Sequence, residues 1–198
     1  MRISKIITRL TLSMLLGSGV VVAADYGTGV KAYESGDYKA ALDEWTPLAE
    51  RGHAAAQYYL AEMYRWGRGV PENAKIAAKW YTKAAEQGDR WAQFYIGIFY
   101  ENGEGVPQNY KTAVKWYTLS ARQGDERAQY KMGVMYLDGT GVLTDNRRAY
   151  MWWNLASYNG KKGAGWSKDI VANKMTPADI SKAQDMSSLC LESNYTDC

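Results

Sequence analysis

Few residues in this chain have the types and spacing that chemistry needs. The loops Gly67-Arg68-Gly69, Gly103-Glu104-Gly105 and Gly139-Thr140-Gly141 carry glycines that let backbone amides approach a phosphate. A phosphate loop also needs a strand before it and a Lys-Ser/Thr pair after it, and neither is present. The motif instead recurs in phase, which reads as a turn that stops a helix. His53 is the only histidine, so a histidine-rich metal site is excluded. It stands where Asp89 and Asp125 stand further on, which predicts a turn or capping role. No serine is followed three residues later by lysine, so a serine–lysine nucleophile is absent. The carboxylates fall on helix surfaces, where they are solvated. This reading assigns no catalytic residue, no cofactor and no metal, and predicts a protein that is not an enzyme.

Cys190 and Cys198 lie close together near the C-terminus. A disulfide between them would close a small loop and pin the tail. Two free thiols, or a redox pair without the Cys-x-x-Cys spacing, are the alternatives.

Binding, rather than catalysis, is what the remaining side chains suggest. Three rows occupy equivalent positions on successive helices yet differ in type: Tyr59, Tyr95 and Lys131; Glu62, Ile98 and Val134; Arg65, Glu101 and Leu137. Trp66 stands beside them. A row of aromatic, apolar and charged residues that fails to repeat is where a docking surface would gain specificity. The expected partner-binding residues are Tyr59, Glu62, Arg65, Trp66, Tyr95, Ile98, Glu101, Lys131 and Val134; for the aromatic rows, packing between neighbouring helices is the alternative.

The elements that position these rows come from a repeat. Gly67, Gly103 and Gly139 are 36 positions apart, as are Gly69, Gly105 and Gly141, Val70, Val106 and Val142, and Trp80, Trp116 and Trp152. A period in this range means stacked units. The first helix of each unit is Ala54–Trp66, Arg90–Asn102 and Glu126–Asp138; in the middle one Ala92, Ile96, Phe99 and Tyr100 make one apolar face. Ala61, Gly97 and Gly133 share a position, which predicts close helix–helix approach. Each valine is expected to plug its own hairpin, and the tryptophans to anchor the core. Second helices start after the N-cap residues Asn73, Asn109 and Asp145. Before the array, helices are expected over Asp25–Ser35 and Tyr38–Arg51, with a bend or stop near Pro47. After it come Trp166–Lys174 and then Pro177–Glu192, whose start Thr176-Pro177-Ala178-Asp179 has N-cap, proline and acid in order. That last helix should cap the open end of the stack.

Residues 1–24 read as a secretory signal: Arg2, Lys5 and Arg9, then the apolar run Leu10–Val22, then small residues at Ala23 and Ala24 where cleavage is expected. The run is shorter than a membrane span needs, although an uncleaved anchor is the alternative. The chain has 24 Lys+Arg and 21 Asp+Glu; removing three basic residues leaves 21 of each. The basic balance thus belongs to the signal and gives no argument for nucleic acid. The expected location is periplasmic or secreted, with no membrane span after cleavage.

These residues resemble the Sel1-like repeat family, relatives of the tetratricopeptide repeat. The likeness rests on three copies of Ala-x-x-x-(Leu/Ile/Met)-(Ala/Gly)-x-x-Tyr…Gly-x-Gly-Val…Ala-x-x-Trp-(Tyr/Trp)…Gly across 54–158, and on Gly36-Asp37-Tyr38-Lys39-Ala40-Ala41-Leu42 before them. The third copy departs from the pattern, with Leu143 for proline and Trp153 for tyrosine. The resemblance implies an all-α, right-handed solenoid of stacked helical hairpins with a C-terminal capping helix. Its parts are a signal (1–24), a tetratricopeptide-like hairpin (25–53), three repeats (54–89, 90–125 and 126–160) and capping helices with the tail (161–198). It further implies a non-catalytic scaffold of the bacterial cell envelope that binds a protein partner through the face of its first helices. The alternatives are a cell-wall glycan or peptidoglycan-fragment binder and, behind it, a hydrolase.

Overall fold

The computed structural model describes residues 24–198, so the segment read as a signal lies outside the described residues except for Ala24. The described residues form ten helices and no strand: α1 (Tyr26–Glu34), α2 (Tyr38–Glu50), α3 (Ala54–Trp66), α4 (Ala74–Glu86), α5 (Arg90–Asn102), α6 (Tyr110–Ala121), α7 (Glu126–Asp138), α8 (Asn146–Tyr158), α9 (Ala164–Ala172) and α10 (Pro177–Glu192). Hairpins α1–α2, α3–α4, α5–α6 and α7–α8 stack in order, each docking its first helix on the second helix of the hairpin before. This is the expected all-α solenoid.

Local signals set the helix ends. The side-chain oxygens of Asn73 and Asn109 accept from the amides of Ile76 and Thr112, each at 3.0 Å. His53 caps α3 through Nδ1, which accepts from the Ala56 amide at 3.2 Å, as Asp89 and Asp125 do for α5 and α7. Gly67, Gly103 and Gly139 close the first helices in the left-handed conformation. Pro47 neither stops nor shortens α2, which runs on to Glu50. It lies in the last turn, where its missing N–H removes a single ladder bond.

The core is built on a row one residue beyond the tryptophans. Trp45, Tyr81, Tyr117 and Trp153 lie 36 apart and are at most 3% exposed. Each ring needs a small residue opposite. A Cβ added at Gly97 would lie 2.7 Å from the Tyr117 ring, and one at Gly133 2.5 Å from the Trp153 indole. The expected close approach is therefore a ring seated on a glycine. Gly29 faces Trp45 in the same way, so the N-terminal hairpin shares the design of the repeats.

Trp80 and Trp116, expected as core anchors, are only half-buried. Trp80 packs on the cluster built from α2 and α3, and Trp116 on the one built from α3, α4 and α5. Trp152 is buried at 2% exposure because α10 covers α8 and brings Cys190, Met186 and Leu191 onto its cluster.

Val106 faces the previous unit, lining a groove with Ile76 and Ala78 of α4. The reason is Gly105: any Cβ there would collide with the backbone between Ala74 and Lys75, and Gly141 meets Tyr110 and Lys111 likewise. The second glycine of each loop thus lets it rest on the start of the preceding second helix. Val106 also packs on the cluster that holds Ile96 and Phe99 of its own α5, so it serves both its hairpin and the joint to the unit before.

A buried polar ladder, absent from the sequence expectations, ties the units. Gln57, Gln93 and Gln129 donate to the carbonyls of Ala49, Ala85 and Ala121 at 2.9–3.1 Å. Their own Oε1 atoms accept from Gln87, Gln123 and Asn159 at 2.7–2.9 Å. Cys190 and Cys198 are joined in a disulfide. It holds the tail so that the Tyr195 hydroxyl donates to Asn159 Oδ1 at 2.9 Å, at the end of the ladder.

Candidate partner-binding surface

The first helices α3, α5 and α7 lie side by side, and their facing side chains form one continuous surface. Tyr58 of α3 meets Trp91 and Tyr95 of α5 with ring centroids 6.1 and 6.2 Å apart. Arg127 of α7 lies over Phe94 at 4.4 Å and over Tyr95 at 5.5 Å.

Most of the expected docking charges are engaged within this surface. Glu62 accepts from the Tyr81 hydroxyl and from Trp66 Nε1, the latter at 3.1 Å, and lies 3.8 Å from Arg65. Glu101 accepts from the Tyr117 hydroxyl and from Lys131 Nζ at 2.9 Å. The same tyrosine–glutamate pairing thus occurs twice, from acids one helical turn apart in the repeat. Burial drives the hydroxyls of Tyr81 and Tyr117 well above the ordinary phenol range, and the adjacent Glu62 and Glu101 add to it. Both tyrosines therefore stay protonated as donors.

The other expected residues divide. Arg65 stacks over Trp66 and Tyr95 at 4.7 Å each, so the Tyr95 ring has two guanidinium groups within 5.5 Å of its centroid. Tyr59 turns into the N-terminal hairpin and stacks on Trp45 at 4.6 Å. Ile98 and Val134 are half-buried against neighbouring clusters. Trp66 is 56% exposed.

An open cleft of about 210 Å3 on this face is lined by Tyr33, Tyr58, Tyr59, Glu62, Trp91 and Arg127. Of the expected residues it contains only Tyr59 and Glu62. Arg127 was missed, although the row Ala55, Trp91 and Arg127 is in phase and as non-repeating as those chosen. Its guanidinium is fixed by Asp125, 2.6 Å from Nη2 to Oδ2, with Asp125 itself buried. Tyr33 reaches the cleft from α1, outside the repeats, where no periodicity could point to it.

A family model for the Sel1 repeat matches residues 54–89, 92–125 and 126–161. The chain belongs to the Sel1 repeat family. Sel1 repeat proteins are generally protein-interaction scaffolds, typically non-catalytic. A Sel1 repeat protein from Oxalobacter formigenes is 36% identical with a TM-score of 0.68, over 71% of this chain and 58% of that one. A protective antigen of uropathogenic Escherichia coli strains, with an SLR fold, is 26% identical with a TM-score of 0.53, over 85% of this chain and 47% of that one. The exopolysaccharide production negative regulator of Rhizobium meliloti (strain 1021) is 42% identical over 53 residues, 27% of this chain and 20% of that protein. This chain spans less than two thirds of the length of each. Among the described residues, no helix of this Sel1 repeat chain is long and apolar enough to cross a membrane.

Proposed function

We propose that this Sel1 repeat chain is a non-catalytic scaffold of the bacterial cell envelope that holds a protein partner on the face of α3, α5 and α7. The observation that carries this reading is the cleft where Tyr58 and Trp91 stand beside Arg127. Large aromatic and guanidinium groups already fixed by their neighbours lose little freedom on binding, and they dominate interfaces for that reason. The envelope location rests on the charged and apolar segment 1–24 and on the disulfide, a bond that persists in oxidising compartments.

A photo-crosslinking side chain at Trp91 should capture a discrete partner in cells, whereas one at Lys182 on α10 should not. Identical adducts from both positions, or none from Trp91, would sink the reading. Alkaline phosphatase fused after the last residue should be active only in cells that export the chain, and an inactive fusion removes the envelope half of the proposal.

A second reading is favoured by Trp66 and Trp91, which are 56% and 45% exposed at the edges of the same face and so offer ring surfaces for sugar stacking. Titration with cell-wall oligosaccharides, read by tryptophan fluorescence, decides it: no shift removes the glycan.

A further inference from the structure

The balanced charge of 24–198 hides a segregated surface. The second helices of the first two repeats carry Lys75, Lys79 and Lys83 on α4 and Lys111 and Lys115 on α6, all exposed. Glu86, in the last turn of α4, is the only acid on either helix. None of the five lysines is in an ion pair among the described residues. Cations four residues apart on one helix destabilise it slightly, and no carboxylate pairs with these; on α4 the ammoniums of Lys79 and Lys83 lie 5.9 and 4.7 Å from the Trp80 ring.

Both ends of the array treat the same positions differently. On α2 the in-phase residues are Lys39 and Asp43, which form an ion pair at 2.7 Å. On α8 they are Arg147, which lies near Asp145 and Asp179, and Met151, which is buried under α10. The row is neutralised at each end and left open over the two central units. Within those units it repeats: Lys75 with Lys111 and Lys79 with Lys115, four residues or about 6 Å apart along each helix. Between α4 and the α5–α6 loop lies a groove of about 370 Å3 with an apolar floor of Ile76, Ala78 and Val106 and a rim of Lys75 and Lys79.

We propose that the outer face of α4 and α6 binds a linear acidic polysaccharide, its carboxylates on the lysine rows and its sugar rings along the apolar groove. A surface whose cations recur at the repeat spacing is matched by a partner whose anions also recur. A folded protein offers such periodicity only where it too is built of repeats. A bilayer calls for several projecting apolar side chains along the row; here Leu119, in phase with Lys83, is 45% exposed, while Ile76 and Val114 between the lysines are half-buried. This face is separate from the cleft on the first helices and stands whether or not a protein docks there.

The test uses the purified chain and polygalacturonate as the probe, with neutral dextran, poly-glutamate and phosphatidylglycerol vesicles beside it. Polygalacturonate should bind, more weakly as salt rises. Reversal by Lys75→Glu, Lys79→Glu, Lys111→Glu and Lys115→Glu should weaken binding by about tenfold or more, as loss of several released counterions demands. The same four positions changed to Gln, checked by an unaltered thermal melt, should weaken it in the same direction. A control reversal at the exposed Lys31, Lys162, Lys174 and Lys182 has the same net charge and should bind as the parent does. Equal loss in the control, unchanged binding after reversal, equal binding of dextran, or preference for the vesicles or poly-glutamate would each overturn the proposal.

Discussion

The second and third Sel1 repeats follow one pattern and end in different surroundings. Lys115 on α6 and Met151 on α8 occupy the same position, and so do Leu119 and Leu155 and also Trp116 and Trp152. On α6 the lysine is exposed, Leu119 is 45% exposed and the tryptophan is half-buried. On α8 all three counterparts are at most 2% exposed, because α10 and its disulfide-held tail lie over them. The repeat decides where a side chain points. What lies above that side chain decides whether it belongs to the core, and the side-chain type follows: methionine under α10, lysine where nothing covers it.

This difference should be measurable by moving residues between the two units. The largest effect is expected from Met151→Lys, which would bury an ammonium with no partner. It should cost about 4 kcal/mol or more, or detach α10. Urea denaturation combined with hydrogen exchange over α10 separates the two outcomes, and a cost near zero would mean that α10 does not cover α8 in solution.

Next come the tryptophans. Trp152→Ala should cost about 4 kcal/mol and Trp116→Ala about 2 kcal/mol, following the area each buries. Equal losses in denaturation would erase the distinction between covered and open units.

Third is the bridge. Cys198→Ala opens a short closed loop and should cost about 2 kcal/mol. Amide exchange should quicken in α10 and the tail while α3–α6 stays as it was. A uniform rise would show that the cover is part of the whole array rather than of the last unit.

The smallest effect is expected from the reverse swap. Lys115→Met touches an exposed position and should change stability by no more than about 0.5 kcal/mol. A larger gain would point to an unrecognised apolar surface over α6.

How much of this was legible in the sequence depends on the kind of interaction. Helix ends were, because Asn73, Asn109, His53 and the first loop glycines act on the backbone within a few residues. Pro47 does not stop α2 where it stands, but the helix ends within a turn of it, at Glu50, so the missing N–H costs a single ladder bond. The candidate cleft was legible only in part. Tyr59 and Glu62 came from the repeat phase, but Tyr33 arrives from α1. The charges chosen as free, on Arg65, Glu101 and Lys131, are engaged by neighbours up to a unit away.

By itself the sequence determined the period, the all-α hairpin and the family, since each unit writes its own turns and apolar stripe and the copies confirm one another. Only the tertiary structure decided which row is core. Trp80, Trp116 and Trp152 repeat as faithfully as Tyr81, Tyr117 and Trp153, and periodicity cannot rank two rows that are both in phase. Gly97 and Gly133 make room for the second row, whereas Trp80 and Trp116 of the first stay half-buried and Trp152 is covered only because α10 lies over α8. The glutamine ladder ties each unit to the one before through carbonyls eight residues back, at Ala49, Ala85 and Ala121, and closes its own hairpin through Gln87, Gln123 and Asn159. The seat of Gly105 on α4 is likewise a contact between units, and no local pattern announces either arrangement.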